Sequence, residues 1–221
     1  MKKARTLNSL FLAALVLPPL LSGADLSTYR GFQFGMPLSS AVKHSGMDVS
    51  EVAVIHERPA RIQELSWRPA RFSSNGNDPV EQVLFTFYNG ELSRMAIDYD
   101  NEKTEGLTPG DMIAAISLRY GVATSPTAEI VLASASFSEG VVVIARWENA
   151  DYSFNLARSP YGSRFDLIAF SKRLDGLAQA SIAAGDHLDE QEAPERLKSQ
   201  EQGVLVQQQK ARLVNQEHFR P

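Results

Sequence analysis

The stretch Gln82 to Tyr99, QVLFTFYNGELSRMAIDY, constrains the fold more than any other part of this chain. Two runs of β-branched, aromatic and aliphatic residues flank Asn89-Gly90. An Asn-Gly pair in that setting signals a two-residue type I′ turn, with φ > 0 at both central positions. The turn sets Phe87 opposite Leu92. A ladder continued without interruption would set Phe85 opposite Arg94 and place a charge on the apolar face. The apolar beat after the turn is instead Leu92, Met95, Ile97 and Tyr99, a step of three followed by steps of two. A β-bulge at Ser93-Arg94 absorbs the extra residue and returns Met95, Ile97 and Tyr99 to the face of Val83, Phe85 and Phe87. The prediction is an antiparallel hairpin with one buried face and one wet face.

The first residues read as a leader rather than as fold. Lys2, Lys3 and Arg5 form a basic start, Leu10 to Leu21 an apolar core, and Ser22-Gly23-Ala24 a small-residue cleavage site. Cleavage after Ala24 removes three cations and no acid, which takes the formal charge from −4 to −7. An acidic, exported chain is a poor default candidate for nucleic acid, since phosphate backbones require a basic face, and no nucleic acid partner is expected. No later stretch is apolar enough to cross a bilayer, so no membrane span is expected after cleavage. The chain has no cysteine, which rules out disulfides, thiol chemistry and a lipid-bearing cysteine. The expected location is the periplasm or the exterior.

Behind the leader, Phe32 and Phe34 alternate with Gly31 and Gln33 in a short extended entry. Pro37 suits the first turn of a helix, Leu38, Ala41 and Val42 make its apolar stripe, and Gly46 is placed to end it. Val52–Ile55 and Arg61–Trp67 read as strands, Pro69 closes the second, and Ser73–Pro79 is a loop. A second unit opens with Thr108 as N-cap, Pro109 behind it and Asp111 completing a capping box; Met112, Ile113, Ile116 and Tyr120 line one face before Gly121. Strand-like runs follow at Glu129–Phe137, Val141–Trp147, Tyr152–Arg158 and Phe165–Phe170. A third helix is expected over Lys172–Ala184, ended by Gly185. The charged, glutamine-rich remainder reads as a marginal helix or disorder, since the residues between Leu197, Val204 and Ala211 on the seven-residue repeat are polar.

The fold expected from this order is α+β: two helix-plus-antiparallel-meander units, 25–104 and 105–186, able to share one sheet with both helices on one side. Residues 187–221 form the tail.

Motifs for chemistry are sparse. Ser40-Ala41-Val42-Lys43 matches S-x-x-K, but Lys103-Thr104 runs into Glu105 instead of glycine and no S-D-N accompanies it. Asp98 to Glu102 opens like a calcium loop, yet its sixth and twelfth places hold Lys103 and Pro109. The four histidines show no metal-ligand spacing. No catalytic residue, metal ligand or cofactor is therefore assigned. Trp67-Arg68 and Arg146-Trp147 each set an indole beside a guanidinium on a predicted strand, the residue types that anchor protein interfaces. These four residues are the candidate binding site; the alternative for either pair is a tryptophan in the core with its arginine snorkelling to the surface.

Gly35-Met36 opening a short helix with Leu38 and Val42, followed by strands through Phe87-Tyr88-Asn89-Gly90-Glu91-Leu92, resembles a bacterial envelope superfamily. It includes the outer-membrane assembly lipoproteins of the BamE (SmpA/OmlA) type and the tandem-repeat β-lactamase inhibitory proteins (BLIP-like). The doubled helix-plus-meander order is more similar to the second. The resemblance covers part of residues 31–100 and implies a sheet that binds proteins with one face. The expectation is an exported, non-catalytic protein-binding module acting on an envelope or extracellular protein. The alternative is a hydrolase or small-ligand-binding protein whose site is assembled from residues distant in sequence.

Overall fold

A computed structural model describes residues 25–69, 78–124, 142–158 and 164–220. The predicted leader, the Glu129–Phe137 strand, most of the Ser73–Pro79 loop and the turns at 138–140 and 159–163 lie outside the described residues.

The elements run β1 (Thr28–Tyr29), β2 (Phe32–Gln33), α1 (Leu38–Ser45), β3 (Ala53–His56), β4 (Ile62–Trp67), β5 (Val80–Tyr88) and β6 (Glu91–Tyr99), then α2 (Asn101–Thr104) and α3 (Pro109–Tyr120), and finally β7 (Val142–Glu148), β8 (Tyr152–Arg158), β9 (Phe165–Ser171) and α4 (Lys172–His218). Among the described residues, β1 and β2 pair alone, and seven strands form one antiparallel sheet in the order β3-β4-β5-β6-β9-β8-β7. The chain is thus α+β.

The hairpin is built as its sequence requires. Asn89 and Gly90 have φ of +49° and +82°. Phe87 pairs with Leu92, Thr86 with Arg94 and Phe85 with Met95, so Ser93 is the extra residue of a bulge. Its hydroxyl donates to the Thr86 carbonyl at 2.9 Å, which uses the polar group that the bulge leaves unpaired. Val83, Phe85, Phe87, Leu92, Met95 and Ile97 then share one core cluster with Phe32, Phe34, Ala41, Met112, Ile116, Tyr120, Phe154 and Leu156. Fully burying one such side chain is worth about 1.5–3 kcal/mol.

The helix signals hold with small shifts. Thr108 caps α3, with the reciprocal Asp111 box and Pro109 at the first position. Pro37 stands at the N-cap of α1 rather than inside it, and Gly46 ends that helix at φ +72°.

Two expectations need correction. The second face of β6, β8 and β9 is not wet: Arg94, Ala96, Ser153, Asn155, Asp166 and Ile168 are all buried. Helix α4 lies against β5, β6 and β9. The bulge that spares the core the Arg94 charge delivers it to α4, where its Nε and Nη2 each donate to an Asp175 carboxylate oxygen at 2.7 Å.

The third helix also does not stop at Ala184. It continues through Gly185 and Pro194 to His218. Gly185 is buried, and a Cβ there would stand 2.9 Å from the Arg58 carbonyl and 3.4 Å from His56 Nδ1. The glycine lets the helix pass close to the segment after β3, so packing rather than termination explains it. Beyond Glu195 the side chains of α4 are exposed.

Candidate functional site

The sheet separates the two indole–guanidinium pairs. Four strands lie between β4 and β7, which puts Trp67 and Trp147 about 24 Å apart at ~4.8 Å per strand. Trp147 is 1% exposed, and its Nε1 donates to the Gly121 carbonyl at 3.0 Å and to Ser117 Oγ at 3.2 Å. It is a core residue tying β7 to the end of α3, so the expectation of an exposed anchor fails there. Its neighbour Arg146, on the opposite face, donates from Nε to Asn155 Oδ1 at 2.9 Å. Trp67 is half-buried against Phe32 and Phe85, with ring centroids at 5.1 and 6.2 Å. Its buried Nε1 has no acceptor among the described residues. Arg68 is exposed and donates to Gln82 Oε1 at 3.1 Å. An indole packed on two phenylalanines is a poor hot-spot anchor, because most of its apolar area is already used.

Convergence occurs elsewhere. A cavity of about 450 Å³ opens between the β1–β2 turn, the end of β6, α2, α3 and β9. Met112, Ala115, Ile116, Leu107 and Leu167 form its apolar walls; Tyr29, Tyr99 and Tyr120 bring three phenols; Arg30, Lys103 and Arg119 bring three cations. The volume falls in the range that holds a small organic ligand, and apolar walls with a few convergent polar groups are the usual make-up of such sites.

Local sequence positions each wall. Arg30 and Gly31 have φ of +49° and +85° and turn the chain between β1 and β2. Gly31 is required twice over there, because a Cβ would also stand 2.7 Å from the His44 ring. Arg30 is held in this unfavourable region by Asp78, to which it donates at 2.6 and 2.9 Å. Burial works against the Asp78 charge, but Arg30 and the Val80 N–H outweigh it and hold the carboxyl below its ordinary range. Asp100 caps α2 by accepting from the N–H groups of Glu102 and Lys103 at 2.8 and 3.3 Å. The acidic run that opens like a calcium loop is therefore a strand end feeding a helix start.

The phenols are kept neutral. Burial pushes Tyr29 up to about 12, raises Tyr99 beside it well above its ordinary value, and raises Tyr120 as well. Tyr120 donates its hydroxyl to the Thr28 carbonyl at 3.3 Å, which closes the cavity against β1. Near neutral pH the cavity thus presents an apolar interior, hydroxyl donors and cations at its edge.

A separate polar cluster lies at the junction of the two meanders. Asp98 on β6 pairs across the ladder with Asp166 on β9, and Arg164 spans both carboxylates at 2.7 and 3.2 Å. Burial, then the Asp98 charge, pushes Asp166 up to about 6 against the pull of Arg164. Burial also raises Asp98. Among the described residues, no group of three or more His, Cys, Asp or Glu side chains is arranged to hold a metal. Nor is any helix long and apolar enough to cross a membrane.

Sequence reasoning placed Tyr120 on the core face of its helix and Tyr99 at the end of its strand. It had no means of bringing them to Tyr29, since the three approach only once β1 docks beside α3. Compared with models of protein families, with curated proteins and with solved structures, the chain matched none of them.

Proposed function

We propose that the protein is an exported, non-catalytic binding module and that the tyrosine-lined cavity takes a small molecule with an apolar body. The observation that carries this reading is the cavity itself: about 450 Å³ of largely apolar space with three neutral phenols and three cations around it. Its lining residues include no histidine or carboxylate to activate Lys103, Thr104 or a tyrosine as a nucleophile, which favours binding over hydrolysis. Export rests on the leader pattern ahead of Asp25. We further propose that the two helix-plus-meander units share the sheet through β6 and β9. The order of elements and the antiparallel β6–β9 ladder support this reading.

The test is calorimetric titration with 1-decanol, a neutral probe, using the wild type and Ala115→Trp. Ala115 is exposed on α3 and lines the cavity, so an indole there fills the space without entering the core. Saturable binding by the wild type and its loss in the variant support the site. Undetectable binding, or binding that Ala115→Trp leaves unchanged, overturns it.

A second reading, in which the module binds a protein, draws on α4. Leu197, Val204, Leu205, Leu213 and Val214 are exposed on its distal half. Apolar side chains left exposed among the described residues on the distal half of a helix favour a partner. Capture of an envelope protein that requires residues 195–218 would favour this reading over the cavity.

A further inference from the structure

We infer that the occupant of the cavity is an amphipathic anion, with its apolar body against α3 and β9 and its one acidic group at the mouth beside Lys103 and Arg119. This rests on the cavity being a binding site and goes beyond it by assigning the charge of the ligand. Three cations line the cavity and no carboxylate does. Arg30 is already neutralised by its two bonds to Asp78. Lys103 and Arg119 are exposed, and among the described residues neither forms an ion pair with a carboxylate. Asp25 is near enough to feel the Arg119 charge but does not bond it. Arg119 instead lies over the ring of Tyr120, another lining residue, with its guanidinium carbon 5.6 Å from the centroid.

The surroundings make this mouth selective. The chain carries a formal charge of −4, so two unpaired cations beside one apolar opening run against the field of the whole molecule. A cationic amphiphile would meet them with repulsion, and a neutral one would gain nothing from them. An acid places its charge where two cations await it, while its tail displaces water from Met112, Ile116 and Leu167. The hydroxyls of Tyr29 and Tyr99 remain protonated and add donors without adding negative charge.

The experiment compares three probes of one chain length, sodium decanoate, 1-decanol and decylamine, by titration calorimetry at low ionic strength. Decanoate is expected to bind tightest. Lys103→Gln and Arg119→Gln are each expected to weaken decanoate about two- to fivefold, the scale of an exposed ion pair, and to weaken 1-decanol less. Added salt is expected to weaken decanoate alone. The double variant Lys103→Glu/Arg119→Glu is expected to bind decylamine in preference to decanoate, a reversal that general destabilisation does not produce. A wild type that binds 1-decanol as tightly as decanoate refutes the anion while leaving the cavity intact as a site. Equal weakening of both probes in the glutamine variants refutes the anion in the same way. A wild type that binds none of the three refutes the site as well.

Discussion

Replacing Asp175 by asparagine is expected to destabilise the protein by about 3–5 kcal/mol, the cost of leaving one charge of a buried pair without its partner. The magnitude follows from the geometry. The Arg94 and Asp175 side chains are only 7% and 9% exposed, and both carboxylate oxygens accept from the guanidinium at 2.7 Å. The asparagine keeps the shape but withdraws the charge, and one of its two facing atoms becomes a donor aimed at a donor. Arg94 has little else to turn to: its Nη1 already lacks a partner, and its carbon lies 5.5 Å from the Phe170 centroid. For a chain of this size the loss corresponds to a fall in Tm of roughly 6–20 °C. The assay is urea unfolding of wild type, Asp175→Asn, Arg94→Met and the double variant Arg94→Met/Asp175→Leu. The double variant is expected to recover most of the loss or to exceed the wild type, because apolar groups of similar volume avoid desolvating two charges. An Asp175→Asn variant within about 1 kcal/mol of the wild type would refute the reasoning, because a buried, unpaired guanidinium cannot be that inexpensive.

Three further outcomes follow from the same structure. Asp166, raised from 3.8 to about 6, holds a proton in the folded state that the unfolded chain has already released, so its contribution is fully present below pH 3.8 and is lost as pH rises through 6. That shift amounts to roughly 3 kcal/mol, so Asp166→Asn is expected to flatten the stability profile between pH 4 and 6.5, and parallel profiles for variant and wild type would count against it. Gly185→Ala would raise the helix propensity of α4 by about 1 kcal/mol in isolation, yet it is expected to lower the Tm because its Cβ meets the Arg58 carbonyl at 2.9 Å; a higher Tm would show that α4 yields freely. Truncation after Pro194 keeps Asp189 and Glu192 on Arg58 and, among the described residues, removes only exposed side chains, so the unfolding free energy from urea titration is expected to change little; a loss of more than about 1 kcal/mol would mean that the distal helix packs on the domain.

What was legible in the sequence was local. Asn89-Gly90, the three-residue step from Leu92 to Met95, and the Thr108–Asp111 box each settle a backbone feature from residues within a few positions of one another. The register of β5 on β6 and the start of α3 follow from them. What was hidden depends on long-range encounters. Arg94 was recognisable as a residue the core would reject, but its partner lies 81 positions away on α4. Gly185 carries the ordinary signature of a helix end, and the close approach of the segment after β3 overrides it. Trp147 could not serve as an exposed anchor because adjacent strand residues point to opposite faces: it took the core and left Arg146 to pair with Asn155. The cavity had no sequence signal, because Tyr29, Tyr99 and Tyr120 come from three separate elements, and Tyr99 and Tyr120 each read as core.

The most direct test of the central claim, that the tyrosine-lined cavity is a small-molecule site, is shift mapping by NMR. Backbone and aromatic resonances of the labelled protein would be followed while 1-decanol is added. The account predicts saturable shifts concentrated at Tyr29, Tyr99, Thr104, Met112, Ile116 and Tyr120, with β3 and β4 unmoved. Shifts centred on Trp67 or on the distal half of α4, or no saturable shifts at all, would contradict it.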